Sequence, residues 1–425
     1  MSSTGAADAP AVPSHGAPPG FRVRGQPGAA GVAAGLVRSA RAHALLLVGP
    51  SGVGKTTLAL DVAALLLCTS DPADRPCRAC RGCRTVESGN HPDLHRLAPE
   101  GPGGQIRIGS RTEAEAGTVR RLVSDLSLLP VEGGARVAVV EHADRLNEDA
   151  QSALLKTLEE PPAATTLILC ADEEERLLPT VRSRCARIRL GTLGARDIET
   201  LLGDLGAADA PTANRLGRLA GGRPGVALTW ARAPEAVVAR GEAARTLLDL
   251  LGAGRAARLT AIRRLLAVAG EAAALLTRDA PVAPPARRGR KAATTPAVTV
   301  PPGELTEGAA RPDGDGLSAT DPAADGPRRI PPAERRRAAL LLVDVWRDLA
   351  RDLALVDLGE QGRLRDPGLL DDLEAAAPMI AAGSAGRFLL RLDRAAELIE
   401  SNVNPELVAD ALVLAWPRAG RRRPA

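Results

Sequence analysis

Aromatic residues are scarce in this sequence of 425 residues, which contains two Phe, three Trp and no Tyr. The hydrophobic cores must therefore be filled mainly by Leu, Val and Ala, and Leu and Ala are strong helix formers. Long hydrophobic runs are also missing, because no stretch approaches the roughly 20 apolar residues that a membrane-spanning helix needs. We expect a helix-rich protein with no membrane partner.

Lysine is almost absent as well. Lys55, Lys156 and Lys291 are the three lysines, so Arg carries nearly all of the positive charge. The net charge of +4 is small for this length. Any contact with nucleic acid therefore requires a local basic patch rather than the field of the whole molecule.

The first 20 residues also lack a feature, namely the apolar stretch of a secretory signal. Segment 1–20 is rich in Ala, Pro, Ser and Gly, which predicts a disordered lead. We expect a cytoplasmic protein, in which the six cysteines are thiols or metal ligands rather than disulfides.

The length predicts two or three domains. Between residues 21 and 190, short apolar runs alternate with amphipathic segments, as is typical of a parallel sheet covered by helices. We predict at least four buried strands, at residues 44–48, 137–140, 166–170 and near 186–190.

The rest of the chain is expected to be helical. Apolar residues recur at helical spacing in 191–232, which predicts a small helical domain, and again in 233–416, before a basic tail at 417–425. Segment 281–332 is rich in Pro, Gly, Ala and Asp, so we predict a disordered insert within the larger helical domain. A linker between two domains is the alternative, and it stays open.

Residues 49–57 form the strongest motif. The strand predicted at 44–48 runs directly into Gly49, Pro50, Ser51, Gly52, Val53, Gly54, Lys55, Thr56 and Thr57. This run matches G-x-x-x-x-G-K-[ST] between a strand and a helix, where glycines let backbone N–H groups converge on a phosphate. Lys55 supplies charge to the terminal phosphates, and the Thr56 hydroxyl is a Mg²⁺ ligand. The motif predicts a site for ATP with Mg²⁺.

Four of the six cysteines lie within sixteen residues. They are Cys68, Cys77, Cys80 and Cys83. Four thiolates at this spacing suit a closed tetrahedral Zn²⁺ site, which is structural because no position is left open for chemistry. A redox C-x-x-C is the alternative, but the thioredoxin-like unit that normally carries one is absent. We therefore predict a zinc module over 68–83.

The strand at 137–140 is followed by an acidic residue, as is common in P-loop ATPases. In these enzymes an Asp after a second strand helps to hold Mg²⁺, and a Glu often follows it to activate water. Glu141 occupies the first position, and His142 occupies the position of the catalytic base. Glu141 is a weak candidate for the metal shell, with a solvated strand end as the alternative. We expect ATP hydrolysis by this chain itself to be weak or absent.

Two further runs resemble the bacterial DNA polymerase III clamp-loader subunits. Residues 151–162, QSALLKTLEEPP, are similar to the A-L-L-K-x-L-E-E-P-P signature of that family, and residues 177–185, LLPTVRSRC, are similar to its L-L-P-T-I-x-S-R-C segment. Gly25, Gln26 and His43 before the P-loop, the cysteine cluster after it, and the N-V-N-P sequence at 402–405 agree in order. The resemblance covers about 21–416 and is dense in the first 190 residues.

The resemblance implies a fold and a set of partners. It implies an α/β AAA+ P-loop core with a parallel sheet (21–190), a small helical lid (191–232) and an all-α collar (233–416) that joins a pentameric ring. The implied partners are the gamma/tau and delta subunits, the sliding clamp, and primed DNA held through its phosphates. Lys156 is a candidate for such phosphate contacts, although a solvated helix face is the alternative.

The resemblance also implies a role for Arg184, because the Arg of S-R-C is an arginine finger that acts on a neighbour's ATP. The alternative is an ion pair with the acidic run 173–175 of its own subunit. His142, and Ala171 with Asp172 at a position where a hydroxyl often contacts the γ-phosphate, favour the delta-prime type of subunit. The intact P-loop keeps the gamma/tau ATPase motor open as the alternative.

Overall fold

A computed structural model describes residues 18–99, 104–110, 115–132, 134–278 and 331–420. Most of the predicted lead (1–17), most of the predicted insert (279–330) and the end of the basic tail (421–425) lie outside these residues. The parts of the lead and the tail that are described make specific contacts. The carbonyl of Gly20 accepts a hydrogen bond from Arg78, and the backbone N–H groups of Ala419 and Gly420 donate to the carbonyls of Leu251 and Met379.

The first part of the chain forms one parallel sheet of five strands in the order β2-β3-β4-β1-β5. The strands are β1 (Ala44–Val48), β2 (Leu94–Leu97), β3 (Arg136–Val140), β4 (Thr165–Ala171) and β5 (Ala186–Arg189). Every residue of β1, β3 and β4 is buried, as expected for central strands covered on both faces. The four predicted strands are confirmed, and the edge strand β2 was not predicted.

Helices cover both faces of this sheet. They are α1 (Pro27–Arg38), α2 (Lys55–Leu67), α3 (Arg81–Glu87), α4 (Val119–Leu126), α5 (Glu148–Glu159) and α6 (Pro179–Arg182). Because strand side chains alternate, Leu45 and Leu47 pack in the core beneath α1 and α2, whereas Leu46 packs in the opposite core beneath α4 and α5. This arrangement is an α/β core with the P-loop between its first strand and the following helix.

Three helices follow the sheet: α7 (Ala195–Asp204), α8 (Ala210–Leu219) and α9 (Pro224–Arg232). The side chain of Asp209 caps α8 by accepting a hydrogen bond from the backbone N–H of Thr212 at 3.0 Å. Their small core also includes Ala272 and Leu341 from helices further along the chain. The three helices therefore pack against the C-terminal part of the protein.

In the C-terminal part, the described residues 234–278 and 331–420 form helices and no strands. Its helices are α10 (Pro234–Asp249), α11 (Arg255–Arg278), α12 (Pro332–Asp357), α13 (Leu370–Ala376), α14 (Ser384–Glu400) and α15 (Pro405–Ala415). Three of the five aromatic residues meet in this core, where the rings of Trp346, Phe388 and Trp416 lie 4.9 to 5.5 Å apart. Within the described residues, no helix is both long enough and apolar enough to cross a membrane.

Candidate nucleotide and metal sites

The P-loop connects the end of β1 to the first residue of α2. Gly49 passes so close to the backbone that a Cβ atom there would lie 2.3 Å from the carbonyl oxygen of Leu190. Gly54 precedes α2 with a φ of +106°, a left-handed conformation that favours glycine. Because α2 starts at Lys55, the unpaired N–H groups of its first turn face the loop and form an anion site.

The ammonium group of Lys55 is enclosed by the loop itself. Its Nζ donates to the carbonyls of Gly49 at 2.6 Å and Pro50 at 2.9 Å, and the residue is only 7% exposed. Thr56 is half-buried, whereas Thr57 is exposed. The predicted residues are thus brought together in one loop, with Lys55 oriented by backbone oxygens.

Asp172 is an acidic partner of Lys55, and its Oδ1 lies 2.6 Å from Nζ. Asp172 directly follows β4, and the parallel register that pairs Val48 with Ala171 brings it beside the P-loop. Burial opposes its ionisation most, but His142 and Lys55 outweigh burial and lower the pKa of Asp172 to about 2. The carboxylate is therefore ionised at neutral pH.

His142 stands at the end of β3 in the left-handed conformation, with a φ of +50°. Its Nδ1 lies 3.6 Å from Oδ2 of Asp172, and the backbone N–H of Asp172 donates to Asp144 at 2.9 Å. His142, Asp144 and Asp172 place their ligand atoms within 4.8 Å of one another. His142 therefore belongs to a cluster of ionisable side chains, with Asp144 and Asp172, beside Lys55.

Glu141 has a partner outside this group. Arg96, on the neighbouring strand β2, donates to Oε1 of Glu141 from Nε at 3.0 Å and from a terminal nitrogen at 2.5 Å. Both side chains are largely buried, with 21% of Arg96 and 16% of Glu141 exposed. A role for Glu141 in the metal shell stays a prediction, and such a role would compete with this ion pair.

Arg184 lies just beyond α6, with about a third of its side chain exposed. One of its terminal nitrogens lies 2.5 Å from Oε1 of Glu159, at the end of α5, and the other donates to the carbonyl of Thr180 at 3.0 Å. The expected alternative partner, the acidic run 173–175, is not the one found. The side chain is held at the surface between two helix ends.

The helical part after the sheet contacts the P-loop directly. The backbone N–H of Gly225, in the first turn of α9, donates to the carbonyl of Gly52 at 2.8 Å. A Cβ atom at Gly225 would lie 3.0 Å from that carbonyl oxygen. The Nε of Arg223 donates to the carbonyl of Ala220 at 3.1 Å. The start of α9 therefore lies against the phosphate loop by backbone contact.

The four clustered cysteines converge as their spacing predicts. All four sulfurs lie within 4.8 Å of one another, and those of Cys68 and Cys80 are 3.8 Å apart. A tetrahedral Zn²⁺ with Zn–S bonds of about 2.3 Å needs sulfurs about 3.8 Å apart. Backbone N–H groups of Cys77, Cys80 and Cys83 donate to sulfurs of the cluster at 3.3 to 3.5 Å. The donor set fits Zn²⁺.

The thiols of this cluster differ in their acidity. Burial opposes ionisation of Cys80, but hydrogen bonds from Cys83 and Thr69 together lower its pKa to about 5. For Cys77, a hydrogen bond from Ser70 lowers the pKa, whereas burial raises that of Cys83. At least one thiolate is therefore present at neutral pH to bind a metal.

The cysteine cluster is connected by hydrogen bonds to segment 20–23, which precedes α1. Arg78, between two of the cysteines, contacts the carboxylate of Asp61 on α2 and donates to the carbonyl of Gly20 at 2.6 Å. Asp61 also accepts from the backbone N–H groups of Arg22 and Val23, each at 2.9 Å. Sequence reasoning missed Arg78 and Asp61. The only signal was an Asp in the apolar face of a helix.

A P-loop at the first strand of a five-stranded parallel sheet, followed by a small helical unit, defines the AAA+ class of P-loop proteins. Residues 33–194 match the model of a family described as DNA polymerase III, delta subunit. This match confirms, over that part of the chain, the resemblance to bacterial clamp-loader subunits.

Two curated relatives represent the two types of subunit. DNA polymerase III subunit delta' of Pseudomonas aeruginosa is 38% identical over 188 residues, which are 44% of this chain and 55% of that protein. DNA polymerase III subunit gamma of Buchnera aphidicola is 34% identical over 160 residues, 38% of this chain and 41% of that protein. The chain spans about half the length of the curated relatives it matches.

A solved structure of a gamma subunit-related protein of DNA polymerase III from Thermotoga maritima aligns over most of both chains. The alignment covers 90% of this chain and 97% of that one, at 15% identity and with a TM-score of 0.37.

Proposed function

We propose that this chain is a delta-prime-type subunit of a bacterial DNA polymerase III clamp loader. It assists ATP-dependent loading of the sliding clamp onto primed DNA in the cytoplasm. The observation that carries the proposal is the match of residues 33–194 to the delta-subunit family, with its relative named delta' at 38% identity. The partners are the gamma/tau and delta subunits in a pentameric ring, the clamp, and DNA phosphates. Lys156, exposed on α5, is a candidate for a DNA contact.

The division into AAA+ core (21–190), lid (191–232) and collar (233–416) is part of this proposal. Support comes from separate hydrophobic cores in the sheet region and the C-terminal helices. We assign oligomerisation to the collar, which contains six of the described helices.

The proposed chemistry of this subunit is to complete a neighbour's ATP site rather than to hydrolyse its own ATP. Arg184 supplies a guanidinium to the γ-phosphate bound by the adjacent subunit, where it neutralises charge that spreads over the phosphoryl oxygens. In support of weak hydrolysis, His142 occupies the position of the expected base and Glu141 is paired with Arg96.

Two cofactors are proposed. A structural Zn²⁺ is held by the four clustered cysteines, and its role is to fix the loop between α2 and α3. ATP with Mg²⁺ is held by loop 49–57, with Lys55 on the terminal phosphates and Thr56 on the metal. The bound Mg²⁺ supplies charge neutralisation, and the residues of the loop orient the phosphates.

Purification of the full chain, alone and with the other clamp-loader subunits, tests the proposal. We expect stable assembly with those subunits and negligible ATP turnover by the isolated chain. Brisk Mg²⁺-dependent turnover that disappears in Lys55→Ala would instead establish a gamma/tau-type motor, the alternative that the intact P-loop favours. His142→Glu is the complementary variant, because it restores a carboxylate at the position of the base.

A further inference from the structure

The ammonium group of Lys55 meets a carboxylate at the place where a P-loop normally meets phosphate. In P-loop proteins this lysine contacts the β- and γ-phosphates of the nucleotide. Here Oδ1 of Asp172 forms an ion pair with Nζ at 2.6 Å, and Nζ donates hydrogen bonds to two backbone carbonyls of the loop. The ammonium group therefore lies among three oxygen atoms of its own chain, one of which carries a negative charge.

Several contacts hold Asp172 in this position. Its backbone N–H donates to Asp144 at 2.9 Å, and the carbonyl of the preceding Ala171 accepts from Gly49 of the P-loop at 3.3 Å. Nδ1 of His142 lies 3.6 Å from Oδ2, the second carboxylate oxygen of Asp172. The side chain is 25% exposed, so its charge is only partly screened by solvent. The carboxylate is thus a fixed negative charge at one end of the phosphate loop.

A fixed negative charge beside Lys55 affects a triphosphate more than a diphosphate. The γ-phosphate adds negative charge at the end of the nucleotide that Lys55 contacts, and like charges a few ångströms apart repel strongly in a partly buried site. When ADP is bound, no γ-phosphate is present and the Asp172 carboxylate stays beside Lys55. When ATP is bound, its γ-phosphate must displace that carboxylate from Lys55.

We propose that Asp172 is a specificity-determining residue, whose carboxylate replaces the γ-phosphate on Lys55 and makes this P-loop prefer a nucleoside diphosphate. The inference rests on the proposed function in that it takes the P-loop to bind adenine nucleotides. It also gives a physical reason for a subunit with an intact P-loop to hold nucleotide without cycling.

Titration calorimetry of the full chain with ADP and with ATP, each with Mg²⁺ and with EDTA, tests this inference. The wild-type chain binds ADP about tenfold or more tightly than ATP, and Asp172→Asn reduces this ratio to near one by improving ATP binding. Asp172→Ser, which supplies a hydroxyl, gives the same result. Asp149→Asn, an exposed charge change in the first turn of α5, keeps the wild-type ratio.

Three outcomes overturn the inference. The first is a wild-type chain that does not discriminate, or a ratio that Asp172→Asn and Asp172→Ser leave unchanged. The second is weaker ATP binding by both variants with Mg²⁺ but not with EDTA, which would make Asp172 a metal ligand with His142 and Asp144. The third is no nucleotide binding by any variant. Assembly with the other loader subunits in that third case would leave the proposed function standing.

Discussion

Arg258 is a fully buried guanidinium whose hydrogen bonds all go to backbone carbonyls. The acceptors are the carbonyls of Leu251, Ala253, Val413, Trp416 and Pro417. A buried charge is tolerated where such dipoles satisfy each donor, and cations are favoured at the C-terminal ends of helices. Arg258 therefore holds the end of α15 and the start of the tail against the loop after α10.

Arg258→Met should destabilise the chain by about 2 to 4 kcal/mol, because it leaves several buried carbonyls without donors. Denaturant unfolding, followed by the fluorescence of Trp346 and Trp416 in the same core, measures the change. Arg264→Met is the matched control, since Arg264 is exposed on the same helix. Equal stability of the two variants would mean that water replaces the guanidinium at no cost.

Sequence reasoning found candidate residues that lie together in the sequence more readily than candidates that pair across the fold. Lys55 and Thr56 follow from the P-loop because the motif is contiguous and its strand and helix lie directly beside it. The contact between Lys55 and Asp172 depends on the parallel register of β1 and β4, which no local pattern encodes. Arg258 was missed for the same reason. The carbonyls of Val413 and Trp416, at the end of α15, follow it by more than 150 residues in the sequence.

At the scale of elements, the cysteine module is small, and we propose that a bound Zn²⁺ stabilises it. Its helix α3 has seven residues, too few to be stable alone. Gly82 allows α3 to approach α2, since a Cβ atom there would lie 2.3 Å from the carbonyl oxygen of Leu67. The module contacts the AAA+ core through the ion pair of Arg78 and Asp61. A loss of zinc should therefore lower the stability of the core as well as that of the module.

Cys80→Ser should remove bound zinc and destabilise the AAA+ core, because metal binding energy is folding energy in such modules. The purified wild-type chain should contain one zinc per molecule under reducing conditions, by elemental analysis. Cys185→Ser, which lies outside the cluster, should retain it. A metal-free wild-type chain with normal thermal stability would rule out a structural zinc.

Strand β2 shows what hydrophobic patterning misses. Two of its four residues, His95 and Arg96, are polar, so the segment lacks the continuous apolar run of the central strands. It lies at the sheet edge and pairs with β3 alone. One of these polar residues, Arg96, forms an ion pair with Glu141. The fully buried strands β1, β3 and β4 were predictable because burial on both faces requires apolar residues throughout.

At the scale of the whole molecule, ion pairs and hydrogen bonds connect the three proposed parts. The core meets the collar through Arg176 and Glu400 at 2.9 Å, and the lid meets it through Arg215 and Asp366 at 3.1 Å. The lid also reaches the P-loop through Gly225 and Gly52. The Arg176–Glu400 pair is exposed and adds little stability by itself, whereas Asp366 is buried; both pairs join segments that are distant in sequence.

The proposed role of Arg184 distinguishes an assembling subunit from a self-contained enzyme. Its ion pair with Glu159 joins a partly exposed group to an exposed one, and a solvent-accessible pair of this kind contributes only about 0 to 1 kcal/mol. A neighbour's γ-phosphate is a far stronger attractor, and arginine fingers are worth roughly 10³ to 10⁵ in rate at the site they serve. We therefore propose that the guanidinium exchanges Glu159 for the neighbour's γ-phosphate during assembly.

ATP hydrolysis by the complete loader, stimulated by clamp and primed DNA, tests the central claim most directly. Arg184→Ala should leave ring assembly intact and lower this rate by roughly tenfold or more. Arg184→Lys should recover the rate only in part, because lysine keeps the charge but lacks the planar fork of the guanidinium. Glu159→Gln should retain the wild-type rate, since it removes only the partner within the chain. An unchanged rate with Arg184→Ala in a normally assembled ring, or an equal loss with Glu159→Gln, would contradict the account.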